Sequence, residues 1–284
     1  MRLSIVVPAY NEEARLGGML DAYLPYFTER YGDEAEILVV VNGSTDATAE
    51  VARARMASWS SLRVLVDPRR IGKGGAIIAG FQAARGAVIG FTDADGATPP
   101  EAFDRLVAEL GDAGVVLANR WHPDSRITPP PWRRRAASRV FNALVRCLFG
   151  LPISDTQCGA KVLRRETVER ILPNLGLTRW AFDVDLLFQV RRAGYTIREV
   201  PTVWHDEAGS RLRLARASFD MFVAICRLRL LYSPLRWIVR VYDRTLGPWI
   251  HRPLPPPPVS LEVARMDSTA GQPGTNQAEG NCRH

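Results

Sequence analysis

Thr92-Asp93-Ala94-Asp95-Gly96 follows directly on the apolar run Val88–Phe91. Two carboxylates at i and i+2, released from a strand end onto a glycine-containing turn, can both aim at one hard cation, and such a cation can bridge diphosphate oxygens. A solvated turn has the same composition, but the place at a strand's carboxyl end favours the metal reading. Asn42-Gly43-Ser44-Thr45-Asp46 opens a helix, with Ser44 or Thr45 as N-cap and Asp46 in the first turn. Loops of this kind can also contact a nucleotide. Ile71-Gly72-Lys73-Gly74-Gly75-Ala76 again precedes a helix; its glycines permit close approach and Lys73 supplies charge. It lacks the spacing and hydroxyl of a Walker A loop, and a plain glycine turn fits it as well.

The elements that must position these residues are short apolar runs alternating with helical patterns, the signature of βαβ units feeding a mostly parallel sheet. Strands are predicted at residues 3–7, 37–41, 62–66, 88–91 and 115–118, and helices at 12–27, 46–59, 74–84 and 100–110. In such a sheet the loops after Val7, Val41, Val66 and Phe91 converge. Beyond Ala118 come Pro129-Pro130-Pro131 and Arg133-Arg134-Arg135, then a helix over about 136–149, a loop and strand over 154–165, helices at 166–172 and 184–193, and a strand at 197–200. Residues 213–250 are apolar and arginine-rich, and the proline-rich tail 251–284 is expected to be disordered.

The chain has 284 residues, 46% of them apolar, and a formal charge of +7. Residues 120–146 carry seven Arg and one Asp, residues 211–252 nine Arg and two Asp, so the remainder is net negative. Two local anion-facing surfaces suit a phosphate-bearing substrate and an anionic membrane. Nucleic acid is disfavoured, because no aromatic-plus-basic strip for stacking bases accompanies the charge. Four widely spaced cysteines (Cys147, Cys158, Cys226, Cys282) suggest neither zinc nor disulfides, and reduced cytosolic thiols are expected. No run reaches the roughly 18 apolar residues of a membrane span, so membrane contact is expected to be peripheral.

Pro8-Ala9-Tyr10-Asn11-Glu12, the 42–46 loop, Gly72-Lys73-Gly74-Gly75 and Asp93-Ala94-Asp95-Gly96-Ala97-Thr98, in this order, resemble family 2 GT-A glycosyltransferases. Asp155-Thr156-Gln157-Cys158-Gly159-Ala160-Lys161, Arg179-Trp180-Ala181-Phe182-Asp183-Val184-Asp185 and Glu207-Ala208-Gly209-Ser210-Arg211-Leu212 are similar to the dolichyl-phosphate β-glucosyltransferase branch. The resemblance spans about residues 3–232. It implies an α/β GT-A fold, a mostly parallel Rossmann-like sheet flanked by helices, over 1–212. The apolar and arginine spacing of residues 213–250 itself predicts amphipathic helices suited to a membrane interface.

The same resemblance implies site residues. Pro8, Tyr10, Glu12, Asn42, Lys73 and Asp93 would meet the nucleotide-sugar. Asp93 and Asp95 would hold the diphosphate through Mg²⁺ or Mn²⁺. Arg120, Arg134 or its neighbour Arg135, and Lys161 would face the phosphates or the acceptor, and Asp183 would lie on the acceptor side. Helix-terminal acids satisfying the dipole explain Asp183 and Asp185 equally well. The family's paired aspartates are replaced by Val41 and Asn42, which loosens the prediction of the donor. The expected activity is inverting transfer of glucose from UDP-glucose to a polyprenyl phosphate at the cytoplasmic face of the membrane. GDP-mannose as donor, or a soluble acceptor, is the alternative, and a membrane-protein partner is left open. An acceptor phosphate is already anionic near neutral pH, so no strong general base is required and Asp183 is expected to orient more than to take a proton.

Overall fold

The computed structural model describes residues 1–128, 131–176, 181–205, 214–235, 237 and 262–263, apart from the side chains of 133–134, 214–219 and 262–263. The first half alternates strand and helix: β1 Leu3–Ala9, α1 Leu16–Tyr31, β2 Ala35–Asn42, α2 Thr48–Met56, β3 Leu62–Asp67, α3 Gly72–Ala83, β4 Val88–Phe91, α4 Pro100–Ala108 and β5 Val115–Asn119. The second half holds β6 Arg126–Ile127, α5 Trp132–Phe149, β7 Lys161–Arg164, α6 Arg165–Ile171, α7 Phe182–Arg192, β8 Ile197–Pro201, β9 Val203–Trp204, α8 Leu214–Leu231 and β10 Glu262–Val263.

Eight strands form one sheet in the order β10-β3-β2-β1-β4-β7-β5-β8. β1 to β4 are parallel, β7 runs antiparallel to β4 and β5, and β8 is parallel to β5. Apolar layers cover both faces. Alternate residues of β2 serve them in turn: Leu38 and Val40 pack with Ile77, Phe91, Val145 and Leu186, while Ile37 and Val39 pack with Tyr23, Phe27 and Phe103. Burial on both faces is why these strands read as unbroken apolar runs. Each fully buried Leu, Ile, Val or Phe contributes roughly 1.5–3 kcal/mol.

The chain winds from β1 through β2 to β3, then crosses to the other side of β1 for β4. Pairing of β1 with β4 ends at Val6 opposite Phe91, whereas β1 stays paired with β2 as far as Ala9. The two strands therefore part at the point where strand order reverses, which opens a crevice at their carboxyl ends. Pro8 sits past the last β4 partner, where its missing N–H costs that side of β1 no ladder bond.

Several boundaries differ from the sequence-based expectation for physical reasons. Helix α1 begins at Leu16 instead of residue 12, because 11–13 are zipped onto the next loop. Asn11 and Glu12 donate their N–H groups to Ser44 Oγ (3.1 Å) and Thr48 Oγ1 (2.8 Å), and Asn11 Oδ1 accepts from the Thr45 N–H at 2.9 Å. Asn11 takes a left-handed conformation, φ 53°, to do so. Asp46 precedes α2, and its Oδ1 accepts the Thr48 N–H at 3.1 Å instead of lying in the first turn. Helix α5 starts at Trp132, directly after Pro131, so the arginine triplet lies within its first turns. In the tail expected to be disordered, Glu262–Val263 pair with β3, an edge strand with free backbone groups to offer. The rest of 251–284 lies outside the described residues, as do 179–180 and 207–212 of the motifs noted above.

Candidate active site

A cleft of about 280 Å³ opens where β1 and β4 part, lined by Pro8, Tyr10, Glu12, Asn42, Arg70, Gly72, Lys73, Asp93, Ala94 and Asp95. All six residues expected to meet the nucleotide-sugar are among them. Asn42, buried at the end of β2, donates from Nδ2 to the Ala9 carbonyl at 3.0 Å and accepts the Gly72 N–H at 3.1 Å. It thus ties the ends of β1 and β2 to the start of α3, and both of its polar ends are engaged. Glu12 pairs with Arg15 at 2.6 Å, and burial, outweighing that partner, holds its carboxyl above the ordinary value.

Lys73, in the first turn of α3, reaches across the cleft to Asp93 Oδ1 at 2.5 Å. Burial alone would raise the Asp93 carboxyl, but Lys73, with Lys161 and Arg120 behind it, holds it below the usual carboxylate value. Asp95 moves the other way: burial and then the charge of Asp93 push it up, although it accepts the Ala97 N–H at 3.0 Å. Two carboxylates two residues apart, one of them already balanced by an ammonium, form a site prepared for more positive charge. Gly159 backs this turn, and a Cβ there would collide with the Asp93 carboxylate. Two carboxylates suit Mg²⁺ or Mn²⁺, ions that complete their shells with phosphate oxygens and water. Among the described residues no group of three or more His, Cys, Asp or Glu is placed so that it could hold a metal ion.

The residues expected on the acceptor side are arranged differently. Lys161, expected to meet a phosphate, is fully buried in β7, with its ammonium on Asp183 Oδ1 (2.6 Å) and the Cys158 carbonyl (2.7 Å), 5.3 Å from the Phe91 ring centroid. In this arrangement it is a partner of Asp183 instead of a phosphate ligand, because a buried ammonium requires a counter-charge. Asp185, two residues on, is fully buried and accepts from Tyr232 Oη at 2.6 Å, which anchors the end of α8. Arg120, at the end of β5, is gripped by Asp155. Arg135 is exposed on α5 away from the cleft lining, and the Arg134 side chain lies outside the described residues. Cys158 is buried, and burial, with the nearby Asp155 charge, raises its thiol to about 11, so it packs and does not react.

Sequence reasoning missed Arg70, whose guanidinium carbon stands 4.3 Å from the Tyr10 ring centroid. The signal was present, since Arg70 lies in the loop after β3, one of the four expected to converge. It also missed the pair of short strands β6 and β9, which bring Trp204 to 5.3 Å from Arg120.

Residues 4–172 match the glycosyl transferase family 2 profile. The chain belongs to glycosyl transferase family 2. Among similar proteins, dolichyl-phosphate β-glucosyltransferase of Dictyostelium discoideum is 34% identical over 251 residues, covering 84% of this chain and 77% of the relative. The Mus musculus protein of the same name is 35% identical over 250 residues, covering 83% and 77%. In three dimensions this family 2 chain resembles glucosyl-3-phosphoglycerate synthase of Mycobacterium tuberculosis, solved with Mn²⁺ and UDP-glucose, with a TM-score of 0.60 at 21% identity over 80% of this chain and 78% of that one. The Pyrobaculum calidifontis mannosyltransferase, solved with GDP-mannose and Mn²⁺, gives 0.56 at 21% identity over 87% and 71%. The GT-A architecture expected from the motifs is the observed fold.

Proposed function

We propose that this family 2 enzyme transfers glucose from UDP-glucose to a polyprenyl phosphate, with inversion at the anomeric carbon. The observation that carries the reading is the cleft at the β1–β4 switch point, where Asp93, Asp95 and Lys73 face one another beside Tyr10 and Arg70. The names of relatives covering more than four-fifths of the chain support glucose and a lipid phosphate as the partners.

In this reading Tyr10, Arg70 and Asn42 border the nucleoside end, and Asp93 and Asp95 hold Mg²⁺ or Mn²⁺ against the diphosphate. Such an ion stabilises the negative charge that builds on the leaving nucleoside diphosphate. Lys73 stands on the same carboxylate and adds a donor for the phosphates. The acceptor oxygen is already anionic near neutral pH. Asp183 therefore has no proton to remove, which agrees with its being occupied by Lys161.

The acceptor's lipid tail requires a membrane, and no helix among the described residues is long and apolar enough to cross one. Contact is peripheral in this proposal, at the cytoplasmic face. Apart from Met1, the exposed large apolar side chains among the described residues are Trp132 and Val140 on α5, Phe222 and Val223 on α8, and Leu235 and Trp237 beyond it. The inner face of α8 is buried through Ile225 and Leu228 with Phe141, Val145 and Phe149 of α5. Exposed apolar groups on two packed, arginine-bearing helices suit an anionic lipid interface.

The test is transfer from radiolabelled UDP-glucose and, separately, GDP-mannose to polyprenyl phosphate, with Mn²⁺ or with EDTA. A lipid-extractable product from UDP-glucose that EDTA abolishes is expected. Product from GDP-mannose alone would move the donor assignment, and no product from either would overturn the lipid-phosphate acceptor.

A further inference from the structure

Arg120 leaves the carboxyl end of β5 and is held from several directions. Asp155, whose side chain is fully buried, accepts from Arg120 Nε at 2.8 Å, from Nη2 at 2.9 Å and from the Arg120 backbone N–H at 3.0 Å. The Trp204 and Trp121 ring centroids lie 5.3 Å and 6.0 Å from the guanidinium carbon. Asp155 is itself fixed. Glu199, on neighbouring β8, uses one oxygen to accept from the N–H groups of Ser154 (3.0 Å) and Asp155 (3.2 Å) and from Ser154 Oγ (2.9 Å). Asn119 closes the circuit, donating to Ser154 Oγ at 2.8 Å and accepting the Trp121 N–H at 2.8 Å.

The same assembly is tied to the metal-binding turn. Trp204 is followed by His205, whose N–H donates to the Ala97 carbonyl at 2.9 Å, and the Ala97 N–H donates to Asp95. Stability alone does not account for the design, since a buried ion pair gains little over apolar packing of the same volume. A two-point fork on a planar guanidinium gives something else, a fixed direction.

We propose that Asp155 and Glu199 are positioning residues for sugar transfer: Asp155 fixes the Arg120 guanidinium beside the Asp93–Asp95 turn, and Glu199 fixes Asp155. The proposal rests on the glycosyl transfer proposed above, with Arg120 as the group that meets phosphate charge. A flexible arginine would have to be ordered in every catalytic cycle; this one is ordered in advance.

The experiment compares the full-length wild type with Arg120→Gln, Asp155→Asn, Glu199→Gln and the two double variants that combine each carboxylate change with Arg120→Gln. It measures kcat, KM for UDP-glucose, melting temperature and the Arg120 Nε–Hε NMR signal. Asp155→Asn is expected to lower kcat about 100-fold with little change in KM, and Glu199→Gln about 10-fold. Each double variant should be no slower than Arg120→Gln alone, because both carboxylates act through that side chain. A kcat for Asp155→Asn within about twofold of wild type, or losses that multiply in the doubles, would overturn the proposal. If Asp155→Asn does not fold, the Glu199→Gln cycle decides in the same way. In the wild type the Nε–Hε signal should be single and slow to exchange, and an averaged, fast-exchanging signal would overturn the clamp whatever the variants do. Wild-type enzyme that transfers no sugar defeats the functional reading instead, and the NMR signal then judges the clamp alone.

Discussion

The half of this enzyme proposed above to bind the donor and the half expected to meet the acceptor manage charge in opposite ways. In the donor cleft, Lys73 and Asp93 meet with nearly two-fifths of each side chain still exposed, so either can exchange its partner for an incoming ion or phosphate. Across the site, Asp155 and Lys161 are fully buried, and their partners Arg120 and Asp183 keep only 18% and 14% of their side chains exposed. One half keeps its charges available, while the other uses them to fix geometry. Polar motif residues therefore divide into those exposed enough to meet a substrate, with Arg120 keeping a smaller exposed part than Lys73 or Asp93, and those, such as Asp155 and Lys161, that are wholly buried and hold a partner in place.

The contrast is sharpest in what substitution should do. Asp95→Asn is expected to lower transfer about 1,000-fold and to weaken Mn²⁺ binding measured by EPR, with the denaturation midpoint barely moved. A variant that unfolded instead would place Asp95 with the structural charges. Lys161→Met should do the reverse, costing about 3–5 kcal/mol in urea denaturation by stranding Asp183, with Asp183→Leu on top recovering part of the loss. If Lys161→Met were as stable as wild type yet inactive, the two halves would not differ as described.

Smaller effects probe the open half. Lys73 lowers the pKa of both Asp93 and Asp95, so Lys73→Met should raise both and move the acid limb of Mn²⁺ binding to higher pH, while the alkaline side stays flat. An unmoved acid limb would mean that the ammonium does not govern the pair. Arg70→Ala, which removes the cation facing Tyr10, should weaken UDP binding by calorimetry about fivefold, given a cation–π contact of roughly 1 kcal/mol. Least costly to examine, iodoacetamide at pH 8 should label exposed Cys147 and spare Cys158, whose buried thiol is raised to about 11. Labelling of native Cys158 would show that the segment behind Asp93 opens.

The donor half was the more legible in sequence for the same reason that it is open. Its strands are buried on both faces, so they show as apolar runs, and its functional residues sit on the loops that follow them. The helix start at Leu16 is not legible because hydrogen bonds donated by the Asn11 and Glu12 N–H groups to Ser44 and Thr48, more than thirty residues away, hold 11–12 out of the helix. In the acceptor half the sequence shows a charge without its partner: Lys161 reads as a phosphate ligand until Asp183 is found against it. Strands β6 and β9, two residues each and far apart in the chain, have no periodicity to read, and they carry Trp204 to Arg120.

Gly159 gives the molecule an unusual kind of vulnerability. Because no Cβ fits between this residue and the Asp93 carboxylate, a single added methyl group forces the carboxylate out of place. A gene copy that kept every acid, lysine and arginine of the site but encoded alanine at 159 would look intact to any inspection of its charged residues. Its Asp93 carboxylate would nevertheless be displaced, so an uncharged backbone position bears on the geometry of the cleft as directly as the charged residues do.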